Sequence, residues 1–326
     1  MLALLGIPLG ILLLIVGGAA LVAGASQIAE RFGVSPMIIG LTIVGFGTSA
    51  PELVITLVGA LRGETALAFG NVIGSNIANL ALVLGAAAMF RAIDIQGDLV
   101  KREIPLLLLV TMIITVMALD NVLEGSSPAI GRSDSIILFL LFGIFLYISV
   151  RNVLRGRKQD PIFTEIEEHP AITETASASR WTFLLLISGF AALTVGGEIT
   201  IRSSVAASGA LGISTTLIGL FVVAVGTSMP ELVTSIIAAW RKESDLAMGN
   251  IIGSNIFNSL IVLPAGGLAA TIPVPKGGLL DLALSLVLAA ALIPVFLLGK
   301  ARLGKIAGLV LLVVYFSYAA YRISAA

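Results

Sequence analysis

The chain has 326 residues, 58% of them hydrophobic and only 12% charged, with 19 basic and 19 acidic side chains in balance and a mean hydropathy of +1.09. So little polar surface excludes an ordinary water-soluble globule, and the zero net charge offers no basic face to nucleic acid. The absence of cysteine removes disulfides and thiolate metal sites from consideration.

Ten apolar runs follow one another at about 7–29, 36–61, 66–90, 104–119, 135–154, 181–201, 213–239, 246–271, 279–298 and 303–321. Each is near the ~20 residues that cross a ~30 Å hydrocarbon core. The expectation is an all-α membrane protein whose ten transmembrane helices sit in the lipid bilayer. The first run ends in Ala23-Gly24-Ala25, which has the form of a leader-cleavage site, but no basic residue precedes Arg31 and the run is long for a leader. Because Val16-Gly17-Gly18 matches Val195-Gly196-Gly197, this segment reads as a retained first span.

The second run carries Gly47-Thr48-Ser49-Ala50-Pro51-Glu52-Leu53-Val54, and the seventh carries Gly226-Thr227-Ser228-Met229-Pro230-Glu231-Leu232-Val233. The third run carries Gly70-Asn71-Val72-Ile73-Gly74-Ser75-Asn76-Ile77-Ala78-Asn79, and the eighth Gly249-Asn250-Ile251-Ile252-Gly253-Ser254-Asn255-Ile256-Phe257-Asn258. Both pairs share one offset of 179 residues, and residues 33–85 align with 212–264 without gaps at about half identity. This is a duplication. Residues 1–155 form a first five-helix repeat with its motif at 40–85, residues 156–180 a linker, and residues 181–326 a second repeat with its motif at 219–264. A unit that crosses an odd number of times leaves its successor upside down, so the expected architecture is two inverted five-helix repeats with a site between them near the midplane.

The positive-inside rule orients the chain. With the N-terminus outside, 14 of the 19 Lys and Arg residues fall on cytoplasmic connections, among them Arg31, Arg102, Arg151, Arg241 and Arg302. Both termini are then non-cytoplasmic and the membrane is the plasma (cell inner) membrane. The linker mixes Arg157 and Lys158 with Glu165, Glu167 and Glu168, and reads as a solvated cytoplasmic connection that includes the only histidine, His169. Glu198 and Arg202, four residues apart, read as a helix pair.

A carboxylate at a bilayer centre is costly, roughly 2.5–3.5 kcal/mol on insertion scales, so two of them in matching contexts mark a site. Thr48, Ser49 and Glu52 share a helix face, as do Ser75 and Asn79 one span later. Pro51 lacks an N–H and kinks the helix, which frees a carbonyl nearby. Carboxylate, hydroxyls and a freed carbonyl make an all-oxygen set, the kind that hard cations prefer. The second repeat supplies the same groups from Thr227, Ser228, Glu231, Ser254 and Asn258. Proline kinks and buried hydroxyls are ordinary helix glue taken singly. Their duplication in two repeats is what argues for ion binding.

These motifs resemble the alpha-1 and alpha-2 repeats of the sodium/calcium exchanger family, within the cation/Ca²⁺ antiporter superfamily. The resemblance implies a compact core of spans 2, 3, 7 and 8, across which spans 1 and 6 slide. It implies Glu52 and Glu231 as central ligands shared by Ca²⁺ and Na⁺, with Thr48 and Thr227 giving carbonyls and hydroxyls. Ser49, Ser75, Ser228 and Ser254 would complete outer Na⁺ sites with the carbonyls of Gly45 and Ala224, and Asn79 would line the middle. Where some members carry an Asp, this chain has Asn258, which makes the centre two amides and two carboxylates. Two carboxylates neutralise one Ca²⁺, whereas more than two Na⁺ leave excess positive charge. Neither set binds easily beside the other.

The expected activity is secondary antiport of Na⁺ against Ca²⁺, not enzymatic, with no cofactor beyond the transported ions. Ca²⁺/H⁺ exchange, and exchange that also carries K⁺, stay open as alternatives. An intramembrane enzyme would need a nucleophile–base pair or acidic dyad, and the spans contain no His or Cys. A channel suits a deep, duplicated carboxylate pair less well than an occluding carrier.

Overall fold

The computed structural model describes residues 2–32, 35–94, 102–120, 125, 127–159, 180–210, 228–298 and 302–325. They fold almost wholly into helices: α1 (Leu2–Phe32), α2 (Pro36–Thr48), α3 (Ala50–Leu61), α4 (Thr65–Phe90), α5 (Ile104–Met117), α6 (Arg132–Gln159), α7 (Arg180–Ala210), α8 (Met229–Trp240), α9 (Ser244–Ala269), α10 (Gly278–Leu298) and α11 (Lys305–Ser324). Among the described residues six helices are long and apolar enough to cross a membrane, or seven when α2 and α3 count as one bent span. Three shorter apolar helices complete the set. Helix α8 fills only the second half of the seventh apolar run. The first half of that run lies outside the described residues, as does most of the 156–180 linker with His169.

The kink expected at Pro51 is a true break. Helices α2 and α3 meet at 44°, with Ser49 between them at φ −86°, ψ 4°. Pro51 lies in the first turn of α3, where a missing N–H leaves nothing unpaired but where its ring forbids a straight continuation from α2. The second repeat repeats the geometry: Ser228 sits at φ −88°, ψ 9° and Pro230 opens α8. Among the described residues, wide turns of π-helix fall at Gly40–Val44, Ala78–Val83 and Asn258–Val262. The last two contain Asn79 and Asn258, and local widening of this kind aims side chains that a regular helix would turn elsewhere.

Glycine sets the closest crossing. A Cβ on Gly40 would lie 2.7 Å from the Leu246 carbonyl oxygen, one on Gly45 2.9 Å from the Ser254 nitrogen, and one on Gly253 2.5 Å from the Leu41 carbonyl oxygen. Helices α2 and α9, from opposite repeats, therefore touch backbone to backbone, as small residues permit in lipid. Helices α1 and α7 pair in the same manner and run antiparallel, with Gly189 against Leu21 and Gly196 against Gly10. Their outer faces expose Leu9, Leu12, Ile15, Trp181, Leu184 and Ile187. An apolar belt of that extent suits lipid rather than water, and the chain is an integral membrane protein.

Short antiparallel ties close the connections. Strand β1 (Ile93–Asp94) pairs with β4 (Arg302–Leu303), and β2 (Ala129–Ile130) with β3 (Ile272–Pro273). Beside the first tie, Arg302 pairs with Asp94 at 3.2 Å, and the Asp94 N–H donates to the Ser244 hydroxyl at 3.4 Å. Next to Ser244, Glu243 accepts a hydrogen bond from Ser26 of α1. Burial holds the Glu243 carboxyl above its ordinary range, with Ser26 and Arg241 opposing the shift and Glu30 adding to it. Glu198 and Arg202 form the expected pair, and both are exposed, where such pairs contribute at most about 1 kcal/mol.

Candidate ion-binding site

The two helix breaks bring the cassettes together at the centre. Of the residues expected at the site, Thr48, Ser49, Glu52, Ser75, Asn79, Ser228, Glu231, Ser254 and Asn258 are all buried, none more than 4% exposed, and Gly45 is buried with them. Thr227 and Ala224 lie outside the described residues. Glu52 and Glu231 occupy the first turns of α3 and α8, where the helix dipole favours negative charge.

The repeats meet through oxygen. Ser49 of the first donates to Glu231 Oε1 of the second at 3.2 Å. Thr48 Oγ1 lies 3.2 Å from Ser254 Oγ, and Ser254 Oγ donates to the Gly45 carbonyl at 3.3 Å. Asn79 donates to Asn255 Oδ1 at 3.0 Å, while Asn255 donates to the Asn76 carbonyl at 3.3 Å. Phe190 of α7 packs over Gly47, leaving that position no room for a Cβ.

What the protein leaves unpaired is decisive. Among the described residues, both carboxylate oxygens of Glu52, Oε2 of Glu231, Oδ1 of Asn76 and of Asn79, the hydroxyls of Ser228 and Thr234, and both amide atoms of Asn258 are buried without a hydrogen-bond partner. Buried polar groups are almost always paired, and an uncompensated buried charge carries a penalty of several kcal/mol. A cluster of orphans made mostly of acceptor oxygens around two carboxylates is what a dehydrated cation would satisfy. Among the described residues no group of three or more His, Cys, Asp or Glu assembles. Two acids could supply charge and neutral oxygens further coordination, a donor set that suits hard, oxygen-seeking ions rather than softer transition metals.

A layer around these ligands was not anticipated. Asn71 donates to the Glu52 carbonyl at 3.1 Å and to Thr56 Oγ1 at 2.9 Å. Its repeat partner Asn250 donates to the Glu231 carbonyl at 3.4 Å and to Ser235 Oγ at 2.9 Å. Each amide thus braces the backbone of a central glutamate. Asn76 donates to Ser259 Oγ at 3.0 Å. All three asparagines stand in the duplicated motif, and that duplication was the available signal.

A family model described as sodium/calcium exchanger protein matches residues 2–151 and 181–324. The chain is 28% identical to the sodium/calcium exchanger MaX1 of Methanosarcina acetivorans over 95% of each chain. It is 36% identical to the inner membrane protein YrbG of Escherichia coli over 78% of this chain and 76% of that one. The solved structure of the sodium-calcium exchanger NCX_Mj, soaked with Na⁺ and Ca²⁺, superposes with a TM-score of 0.83 at 29% identity, covering 98% of both chains. With the family model spanning nearly its whole length, this chain belongs to the sodium/calcium exchanger family of membrane transporters.

Proposed function

We propose that the chain is a secondary antiporter that exchanges Na⁺ for Ca²⁺ by alternating access, with net movement of charge. The observation that carries this reading is the buried cluster of unpartnered oxygens around Glu52 and Glu231. Two carboxylates balance one Ca²⁺. Several Na⁺ occupying the flanking hydroxyls, amides and carbonyls would compete with it for the same carboxylates, and competition at one alternately exposed site is sufficient for coupled exchange. The names of MaX1 and NCX_Mj support Na⁺ and Ca²⁺ as the pair.

In this reading ten spans form two inverted repeats in the plasma membrane, with both termini on the non-cytoplasmic side. Connections assigned to the cytoplasm meet one another: β1 pairs with β4, and Ser26 bonds to Glu243. Those assigned to the opposite side meet in β2 and β3. Cysteines placed singly at Gly156 and Gly125 of this cysteine-free chain are expected to react from opposite sides in oriented vesicles, Gly156 from the cytoplasm. Labelling of both from one side would reject the topology.

The competition is tested by displacing ⁴⁵Ca²⁺ from purified protein with Na⁺. Wild type should release Ca²⁺ as Na⁺ rises, whereas Li⁺-free choline at equal ionic strength should not displace it. Ser49→Ala with Ser228→Ala should raise the half-displacing Na⁺ concentration about tenfold, the equivalent of about 1.4 kcal/mol, and move Ca²⁺ affinity much less. Displacement unchanged in the double variant would remove these hydroxyls from the Na⁺ sites.

A further inference from the structure

We infer that Asn250 is a positioning residue that sets Na⁺ affinity by holding the Thr48 hydroxyl proton away from the ion. The inference rests on the Na⁺/Ca²⁺ reading above and extends it to a side chain that does not itself face the cation.

The direction of each hydrogen bond around Asn250 is forced. The Glu231 carbonyl can only accept, so the oxygen 3.4 Å from Asn250 fixes Nδ2 on that side, and Ser235 Oγ at 2.9 Å engages the same group. Both N–H donors are thereby used. The opposite atom, Oδ1, faces Thr48 Oγ1 at 3.1 Å. An amide oxygen cannot donate, so Thr48 must.

Thr48 has one proton and other places to put it. The Val44 carbonyl lies at 3.1 Å and the Gly45 carbonyl at 3.3 Å. Donation to Gly45 would engage a carbonyl expected to bind the ion. It would also leave Thr48 Oγ1 and Asn250 Oδ1 with their lone pairs opposed at 3.1 Å in a buried setting, where low dielectric makes such opposition expensive. Asn250 draws the proton backwards instead.

The consequence falls on a triangle of oxygens. Thr48 Oγ1, Ser254 Oγ and the Gly45 carbonyl oxygen lie 3.2–3.3 Å from one another. Oxygens about 2.4 Å from a shared cation, within the usual range for hard ions, stand about 3.4 Å apart at an octahedral edge. The triangle is thus close to a ready coordination face: with the Thr48 proton drawn to Asn250, only the Ser254 proton, which donates to the Gly45 carbonyl in the ion-free protein, has to turn away when a cation enters. The brace on Glu231 comes from the nitrogen of Asn250, and the orientation of Thr48 from its oxygen, so the two roles can be separated by substitution.

The test uses full-length protein in detergent and in proteoliposomes, reading the Na⁺ concentration that half-displaces ⁴⁵Ca²⁺ and, separately, Ca²⁺ affinity without Na⁺. Asn250→Leu and Thr48→Val should each raise the half-displacing Na⁺ concentration about tenfold, and the double variant should match either single within about twofold, because Asn250 acts through Thr48. In Thr48→Val, which leaves the brace on Glu231 intact, Ca²⁺ affinity should move less than about threefold. Asn250→Asp keeps an acceptor toward Thr48 but adds charge beside Glu231, so it is read through the pair: adding Thr48→Val to it should still raise the half-displacing Na⁺ concentration about tenfold, as it does in wild type. Multiplicative effects of Asn250→Leu and Thr48→Val, a parallel fall in Ca²⁺ affinity in Thr48→Val, or an Asn250→Asp background in which Thr48→Val has no effect would overturn the inference. If Asn250→Leu does not fold, Asn250→Asp alone and with Thr48→Val decides it by the same measurements. A wild-type protein whose Ca²⁺ is not displaced by Na⁺ would instead overturn the functional reading itself.

Discussion

Glu52→Gln and Glu231→Gln should each lower Ca²⁺ transport by at least about a hundredfold while leaving the protein folded. Glutamine copies the shape of the carboxylate but removes half of the charge that balances Ca²⁺. Two opposite charges ~4 Å apart interact by about 4 kcal/mol at an effective dielectric of ~20, and about 2.7 kcal/mol already corresponds to a hundredfold in affinity. The amide also brings an N–H₂ group into a cavity whose other unpaired groups are mostly acceptors. Stability should not fall, because the Glu52 carboxylate and Oε2 of Glu231 are buried without a hydrogen-bond partner among the described residues and each substitution removes an uncompensated buried charge. Uptake of ⁴⁵Ca²⁺ by reconstituted variants, with melting temperature in EDTA and in Ca²⁺, separates the two effects. The variants should melt at or above the wild-type temperature in EDTA and lose the upward shift that Ca²⁺ gives wild type. Uptake near the wild-type rate in either variant would show that the carboxylates are not the ligands.

Much of the site was legible because its signals lie within single helices. Thr48, Ser49 and Glu52 share a face by spacing alone, and Pro51 marks the break that the structure bends by 44°. The gapless offset of 179 residues extended the reading to Ser228 and Glu231. What spacing cannot convey is which helix meets which. The bonds from Thr48 to Asn250 and from Asn79 to Asn255 join elements far apart in sequence, and nothing along one helix foretells them. Nor does composition reveal the wide turns at Ala78–Val83 and Asn258–Val262, since π-helical turns arise where packing demands an extra residue rather than from local preference. Gly40, Gly45 and Gly253 were visible as small residues. Their function as the seam between α2 and α9 emerges only when the Leu41 and Leu246 carbonyls are found where a Cβ would stand.

The central claim is that Na⁺ and Ca²⁺ compete for the carboxylates of Glu52 and Glu231 in one alternately exposed site, so that a gradient of one ion drives the other. The most direct measurement is ⁴⁵Ca²⁺ uptake into proteoliposomes loaded with Na⁺ and diluted into Na⁺-free buffer, repeated with membrane potential imposed by valinomycin and K⁺. Loaded vesicles should accumulate Ca²⁺ and control vesicles without a Na⁺ gradient should not. Because more than two Na⁺ leaving for each Ca²⁺ entering carries positive charge out, an inside-positive potential should speed uptake and an inside-negative one slow it. Each elementary charge moved responds by about 2.3 kcal/mol per 100 mV, so the effect should be plain at ordinary imposed potentials. Uptake driven equally well by a pH gradient with no Na⁺ present, and indifferent to Na⁺, would contradict the claim.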